Sequence, residues 1–109
     1  MYFCGMGLMQ DRGYDCFEWD EGNTGKNLKS HNVSDREAEE AFLNIPYYDS
    51  QAIKYQGPEK RRIVFSKTNA GRMLFVVYTE RGTCIRVICA RDMHKSERKI
   101  DRERIETNP

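Results

Sequence analysis

Apolar positions follow two different periods along this chain. In the first half they recur at helical spacing. Ser34-Asp35-Arg36-Glu37 is a capping box, in which the serine hydroxyl and the Glu37 carboxylate satisfy free backbone amides. Ala38, Ala41, Phe42 and Ile45 continue that pattern, and Pro46 ends it. Upstream, Asp20 can cap a helical stretch through Lys26, Asn27 and Leu28, although Gly22 and Gly25 weaken it. Asn32 suits the left-handed position at which that stretch would end. Before it, Cys16-Phe17-Glu18-Trp19 reads as a short strand with Phe17 and Trp19 on one face.

In the second half the period shortens. Arg61 to Ser66, Met73 to Thr79 and Cys84 to Arg91 are rich in Val, Ile, Phe and Tyr. Thr68-Asn69-Ala70-Gly71 and Glu80-Arg81-Gly82-Thr83 separate them, which predicts consecutive antiparallel strands joined by hairpin turns. Tyr47 to Tyr55 offers one more strand. From His94 onward a charged helix is expected, anchored by Ile100 and Ile105 and supported by Asp101 with Arg104 and Lys99 with Glu103. The expected class is α+β: an antiparallel β-sheet packed against two N-terminal helices, with a polar C-terminal helix. Residues 1–14 hold three glycines and no clear period, and read as a flexible extension or an edge strand. Residues 15–109 read as one domain.

Composition adds limits. A chain of 109 residues holds one modest core, and 32% charged against 39% hydrophobic residues suits a globular protein rather than a disordered one. No apolar run is long enough to span a bilayer. The opening Met1 to Met9 is apolar but short, without a basic leader or a clear cleavage site, which predicts a cytoplasmic protein. The net charge of +1 conceals an asymmetry. Residues 1–53 carry four Lys/Arg and ten Asp/Glu (−6), whereas residues 54–109 carry fourteen and seven (+7). Two readings follow: a local surface for a polyanion, or two halves that neutralise each other within the fold. Cys4, Cys16, Cys84 and Cys89 show no C-x-x-C spacing, and a cytoplasmic chain is expected to keep them as free thiols. Five residues apart on one regular strand, Cys84 and Cys89 would point to opposite faces.

A set of ordered fragments then becomes recognisable. It begins with Phe17-Glu18-Trp19-Asp20-Glu21, Asn27-Leu28, His31, Val33-Ser34, Glu37-Ala38 and Phe42. It continues with Arg61, Gly71-Arg72-Met73-Leu74-Phe75-Val76-Val77-Tyr78-Thr79 and Arg81-Gly82. Arg86-Val87-Ile88-Cys89-Ala90-Arg91 and Glu97-Arg98 complete it. Together these resemble the BrnT toxins, over roughly residues 16–101. The resemblance implies a RelE-like fold and a ribonuclease of a type II toxin–antitoxin system that cuts RNA without a metal and inhibits translation. It also implies a BrnA-like antitoxin with a ribbon-helix-helix part, joined to the chain in a heterotetramer. That complex, rather than the chain alone, would bind operator DNA. Four features depart from the family pattern. Asn23 stands where a lysine is usual, Ser30 replaces a basic residue and Asp101 a tyrosine, and the extension before Cys16 is longer. Asn23, Ser30 and Asp101 motivate a second reading, a non-catalytic module of the same fold that binds antitoxin or RNA without cleaving.

In metal-free RNA cleavage the ribose 2′-hydroxyl attacks the neighbouring phosphate. A base must take its proton, an acid must meet the leaving oxygen, and positive charge must face the crowded phosphate. Arginine suits the last role because its fork binds phosphate at two points. The resemblance turns His31, Arg61, Tyr78 and Arg91 into catalytic candidates and Lys60, Lys67, Arg72, Arg81 and Arg86 into RNA-binding ones. From residue types alone the arginines read first as ordinary solvated strand residues, and it is the resemblance that favours the site. Six residues apart, Arg72 and Tyr78 share one strand face, which could hold a phosphate beside a phenol. His31 suits acid–base work near neutrality or, equally, donation to the carbonyls that close a helix. Glu18, Glu59 and Glu97 are alternative bases. His94 reads as a surface residue, Trp19 beside Phe17 as packing, and Tyr47 and Tyr48 have no assigned role.

Overall fold

The computed structural model describes residues 13–44, 48–51 and 60–98. In chain order the elements are β1 (Cys16–Phe17), α1 (Lys26–His31), α2 (Asp35–Leu43), β2 (Tyr48–Gln51), β3 (Arg61–Lys67), β4 (Met73–Arg81) and β5 (Cys84–Asp92). The strands form one sheet in the order β1-β5-β4-β3-β2. β2 to β5 pair antiparallel, with turns where the sequence predicts them after β3 and β4. β1 departs from the expected all-antiparallel sheet, because it runs parallel to β5 with Cys16 opposite Cys84 and Phe17 opposite Ile85. A strand that reaches its neighbour across nearly the whole domain has no tight turn to fix its direction.

Alternation along the strands divides the sheet into two faces. Val64, Leu74, Val76, Tyr78, Ile85, Val87 and Ala90 point to one face and are buried against Val33 and against Ala38, Ala41 and Phe42 of α2. Phe42 is central there, with its ring centroid 4.8 Å from Tyr78 and 5.8 Å from Phe17. Trp19 packs beside this core, as expected, and its indole N–H donates to Glu39 at 2.8 Å.

α2 starts on the capping box: the Glu37 amide donates to Ser34 Oγ at 3.1 Å, and the Ser34 amide donates to Glu37 Oε1 at 3.0 Å. Such a cap stabilises by about 1 kcal/mol. The helix stops at Leu43, where Asn44 turns extended and donates from Nδ2 to the Lys67 carbonyl at 2.8 Å. α1 begins at Gly25, whose φ of 72° is left-handed, and ends at Asn32, φ 58°. Asp20 therefore caps a turn rather than that helix, accepting from the Gly22 amide at 2.8 Å.

Between Tyr78↔Val87 and Val77↔Cys89 the register shifts, which leaves Ile88 as an extra residue of β5. This bulge reverses the parity of everything after it. Cys84, Arg86, Cys89 and Arg91 consequently share the face away from α2, and the expected opposition of Cys84 and Cys89 is overturned. The expectation of free thiols also needs correction. Cys16 and Cys84, register partners 4.5 Å apart at Cα, form a disulfide, while Cys89 is free.

β2 occupies part of the strand expected over residues 47–55. Residues 95–98 turn helical after His94. The N-terminal extension up to residue 12, Ile45, Pro46, Ile100, Ile105 and the paired charges after residue 98 lie outside the described residues. Among the described residues no helix is long and apolar enough to cross a membrane.

Candidate functional site

Three strands place arginine on the face away from α2. Arg61 of β3 is opposite Thr79 of β4, and Thr79 is opposite Arg86 of β5, so these residues form one row across the sheet. Arg81 ends β4 opposite Cys84. The segment after β1 runs along the outer edge of β5, where two asparagine side chains stand in for a strand. Asn23 Nδ2 donates to the Glu18 carbonyl at 2.9 Å and the Val87 carbonyl at 3.2 Å, and Asn27 Oδ1 accepts from the Ala90 amide at 2.9 Å. Both are buried; Asn23 is paired, whereas Asn27 is held only through Oδ1, its Nδ2 having no partner among the described residues. Between this segment and the arginine row lies a cleft of about 260 Å³, lined by Gly22, Asn23, Lys26, Arg61, Arg81, Arg86, Val87 and Ile88.

Two carboxylates hold the guanidinium groups. Glu18 Oε1 accepts from Arg81 Nη1 at 3.2 Å and from Arg86 Nη1 at 3.0 Å. Asp20 takes Arg86 with both oxygens, at 2.8 and 3.1 Å. That hydrogen bond and the Gly22 amide hold the Asp20 carboxyl below the usual carboxylate range, and Asp20 in turn pushes Arg86 up. Gly22 fits here because a Cβ would stand 2.8 Å from Arg86 Nη2. A fixed, permanently charged fork facing an open cleft binds tetrahedral oxyanions. Four cationic side chains around one cavity favour a phosphodiester over any neutral ligand.

Comparison with known families decides what kind of protein carries this cleft. A family model described as the ribonuclease toxin BrnT of type II toxin–antitoxin systems matches residues 19–97. The chain belongs to the BrnT family. It is thus a ribonuclease toxin by family, with RNA as substrate and an antitoxin as partner. No curated protein matches it. Lys26, Arg61, Arg81 and Arg86 all fall inside the BrnT match, and Glu18 precedes it by one residue.

The candidates singled out from sequence separate into three groups. Arg61, Arg81 and Arg86 meet at the cleft. Lys60 is exposed immediately before β3, outside that row, its carbonyl accepting from Thr79 Oγ1 at 2.7 Å. Arg91, Lys67 and His31 form a second group elsewhere. Arg91 is opposite Phe75, four residues along β4 from Thr79, or about 13 Å at strand rise. Its guanidinium carbon lies 3.9 Å from the Phe75 ring centroid, and Glu97 grips it with two bonds of 2.8 Å. Lys67 is exposed beyond that row. His31 is exposed at the end of α1, with Nε2 3.9 Å from Cys89 Sγ, and does not line the cleft.

Arg72 and Tyr78 form the third group and require correction. They do lie on one side, but it is the side covered by the helices. Tyr78 is fully buried, and its hydroxyl accepts from Arg62 Nε at 3.2 Å. Arg72 binds Asp92 at 2.6 and 3.0 Å, the Asn32 carbonyl at 2.8 Å and Glu37 at 3.2 Å, which closes the corner between α1 and α2. Neither can face a phosphate at the cleft. Of the alternative bases, Glu97 is taken up by Arg91 and the His94 amide. Glu59 lies outside the described residues.

Sequence reasoning missed Lys26, Gly22 and Asn23 as cleft residues and Asp20 as the partner of Arg86. Glu18 and Asp20 are two apart, as side chains on one side of an extended segment must be. That signal becomes readable only once β1 is known to lie beside β5. Asn23 is an edge clamp for the β5 bulge, and Lys26 carries an ammonium at the same cleft.

Proposed function

We propose that the chain is a metal-independent endoribonuclease toxin whose cleft between Lys26, Arg61, Arg81 and Arg86 receives the scissile phosphate. One observation carries this: arginines from three strands and a lysine from α1 converge on a single cavity. Attack by the ribose 2′-hydroxyl concentrates negative charge on the phosphate oxygens, and preorganised guanidinium groups stabilise that charge. Arg61 and Arg86 act on the reacting phosphate, with Arg81 and Lys60 beside them. Arg91 and Lys67, along the same face, bind the flanking backbone. A ring of side-chain cations supplies the positive charge that other nucleases take from a divalent ion, and it repels such an ion. A BrnA-like ribbon-helix-helix antitoxin neutralises the toxin in a heterotetramer that binds operator DNA, within the cytoplasm.

Two measurements test this. The chain is induced without its antitoxin while growth is followed, and purified protein is incubated with RNA and EDTA. Growth arrest together with RNA cleavage in EDTA is expected. A folded chain that gives neither result is a binding module, and the nuclease assignment fails.

A further inference from the structure

The nuclease reading leaves the proton acceptor unassigned, and His31, the sequence candidate, does not line the cleft. Two carboxylates that do not line it either are bonded directly to its arginines, unlike His31, and their own bonding differs. Asp20 has both oxygens committed: Oδ1 to the Gly22 amide and Arg86 Nη2, Oδ2 to Arg86 Nη1. Glu18 receives Arg81 and Arg86 on the same oxygen, Oε1, so that Oε2 accepts no hydrogen bond from the described residues. The Glu18 side chain is 35% exposed, so substrate can reach it. Its position is also fixed, because the Glu18 amide donates to the Ile85 carbonyl at 2.8 Å and its carbonyl is held by Asn23.

Resting on that nuclease reading, we propose that Glu18 is the general base of RNA cleavage and that Asp20 is a positioning residue that aims Arg86. A carboxylate oxygen without a partner among the described residues, beside two guanidinium groups suited to phosphate, meets the geometric need of a base adjacent to the charge it helps to create. The 2′-hydroxyl gives its proton to Glu18 Oε2 as the bond from O2′ to phosphorus forms and the bond from phosphorus to O5′ breaks. Solvent protonates the departing 5′-oxygen, and Glu18 returns its proton to solvent, so no net proton is consumed. The products are a 2′,3′-cyclic phosphate end and a free 5′-hydroxyl end.

The test compares wild type, Glu18→Gln and Glu18→Asp on a short RNA, with affinity read separately on a 2′-O-methyl oligonucleotide that cannot be cleaved. Glu18→Gln should lower kcat by about 100-fold or more. It should leave affinity for the uncleavable strand unchanged or tighter, and abolish the acid limb of the kcat–pH profile. Glu18→Asp keeps the charge, and should retain that limb at a lower rate. A kcat for Glu18→Gln within about threefold of wild type overturns the assignment. So does a loss of affinity that accounts for the whole loss of rate, which would make Glu18 merely a support for the arginines. Wild-type products ending in a 3′-hydroxyl overturn it as well, since no 2′-proton would then be taken. A wild-type chain that cleaves no RNA removes the nuclease reading itself, and the base with it.

Discussion

Arg72 and Arg86 are both held by two carboxylates, yet they do different work at two corners of the molecule. Arg72 donates from Nε, Nη1 and Nη2, and its partners come from the end of α1, the start of α2 and the end of β5. No donor nitrogen is left over, and it lines no described cleft. Among the described residues Arg86 uses only Nη1 and Nη2 and keeps Nε unbonded, and it faces a cavity shared with three other cations. Counting ion pairs would rank the two alike. What separates a structural arginine from one poised for ligand is the unused donor edge and the space in front of it.

The largest expected effect separates the two corners covalently. The Cys16–Cys84 bridge closes a loop with a sequence separation of 68, and it ties down a β1 of only two residues beside the cleft. In the chain-entropy picture, Cys84→Ser or reduction should cost about 4 kcal/mol, read from urea unfolding with and without reductant. Hydrogen exchange should show the Glu18 amide opening, while the Arg72 amide, bonded to the Thr68 hydroxyl at 3.1 Å, keeps its protection. Uniform loss at both amides would break the comparison.

Next is Arg72→Ala, expected to destabilise by about 1–2 kcal/mol after allowance for its partly exposed partners. Arg72 holds Asp92 below the usual carboxylate range; the Ser34 amide, and after it Arg72, do the same for Glu37. Carboxyls lowered by folding contribute stability that is complete above their unfolded pKa of about 4 and is lost as pH falls through the folded value. The gap between wild type and Arg72→Ala should therefore narrow below about pH 4 in acid-unfolding curves. A constant gap would mean that Arg72 acts through packing alone. The smallest effect belongs to His31→Ala, which should alter RNA cleavage by less than about threefold, because the imidazole contacts Cys89 and not the cleft. A hundredfold loss would return the base to His31.

Local chemistry made much of the fold legible. The Ser34 to Glu37 box, Asn32 at a left-handed position and the turns after β3 and β4 all depend on neighbours in sequence, and all are present. The parallel pairing of β1, the disulfide and the bulge at Ile88 depend on cross-strand register, which residue patterns do not encode. The bulge matters most for the site, because it sets which β5 side chains share a face with Arg61. Parity correctly joined Arg72 to Tyr78, but it could not say that α2 covers their side. Arg61, Arg81 and Arg86 were readable as a basic set. Their carboxylate partners were not, since Glu18 and Asp20 meet them across more than sixty residues of chain.

Convergence of charge on one cleft is tested most directly by the salt dependence of binding to a 2′-O-methyl RNA strand. For each phosphate contact removed, the slope of log K against log salt should fall by about 0.7 for a single strand. Arg61→Ala and Lys26→Ala should each lower the slope by that amount, and their double variant by twice as much, while Arg72→Ala leaves it unchanged. If Arg72→Ala lowers the slope as much as Arg61→Ala does, the cleft is not the place where RNA phosphate binds.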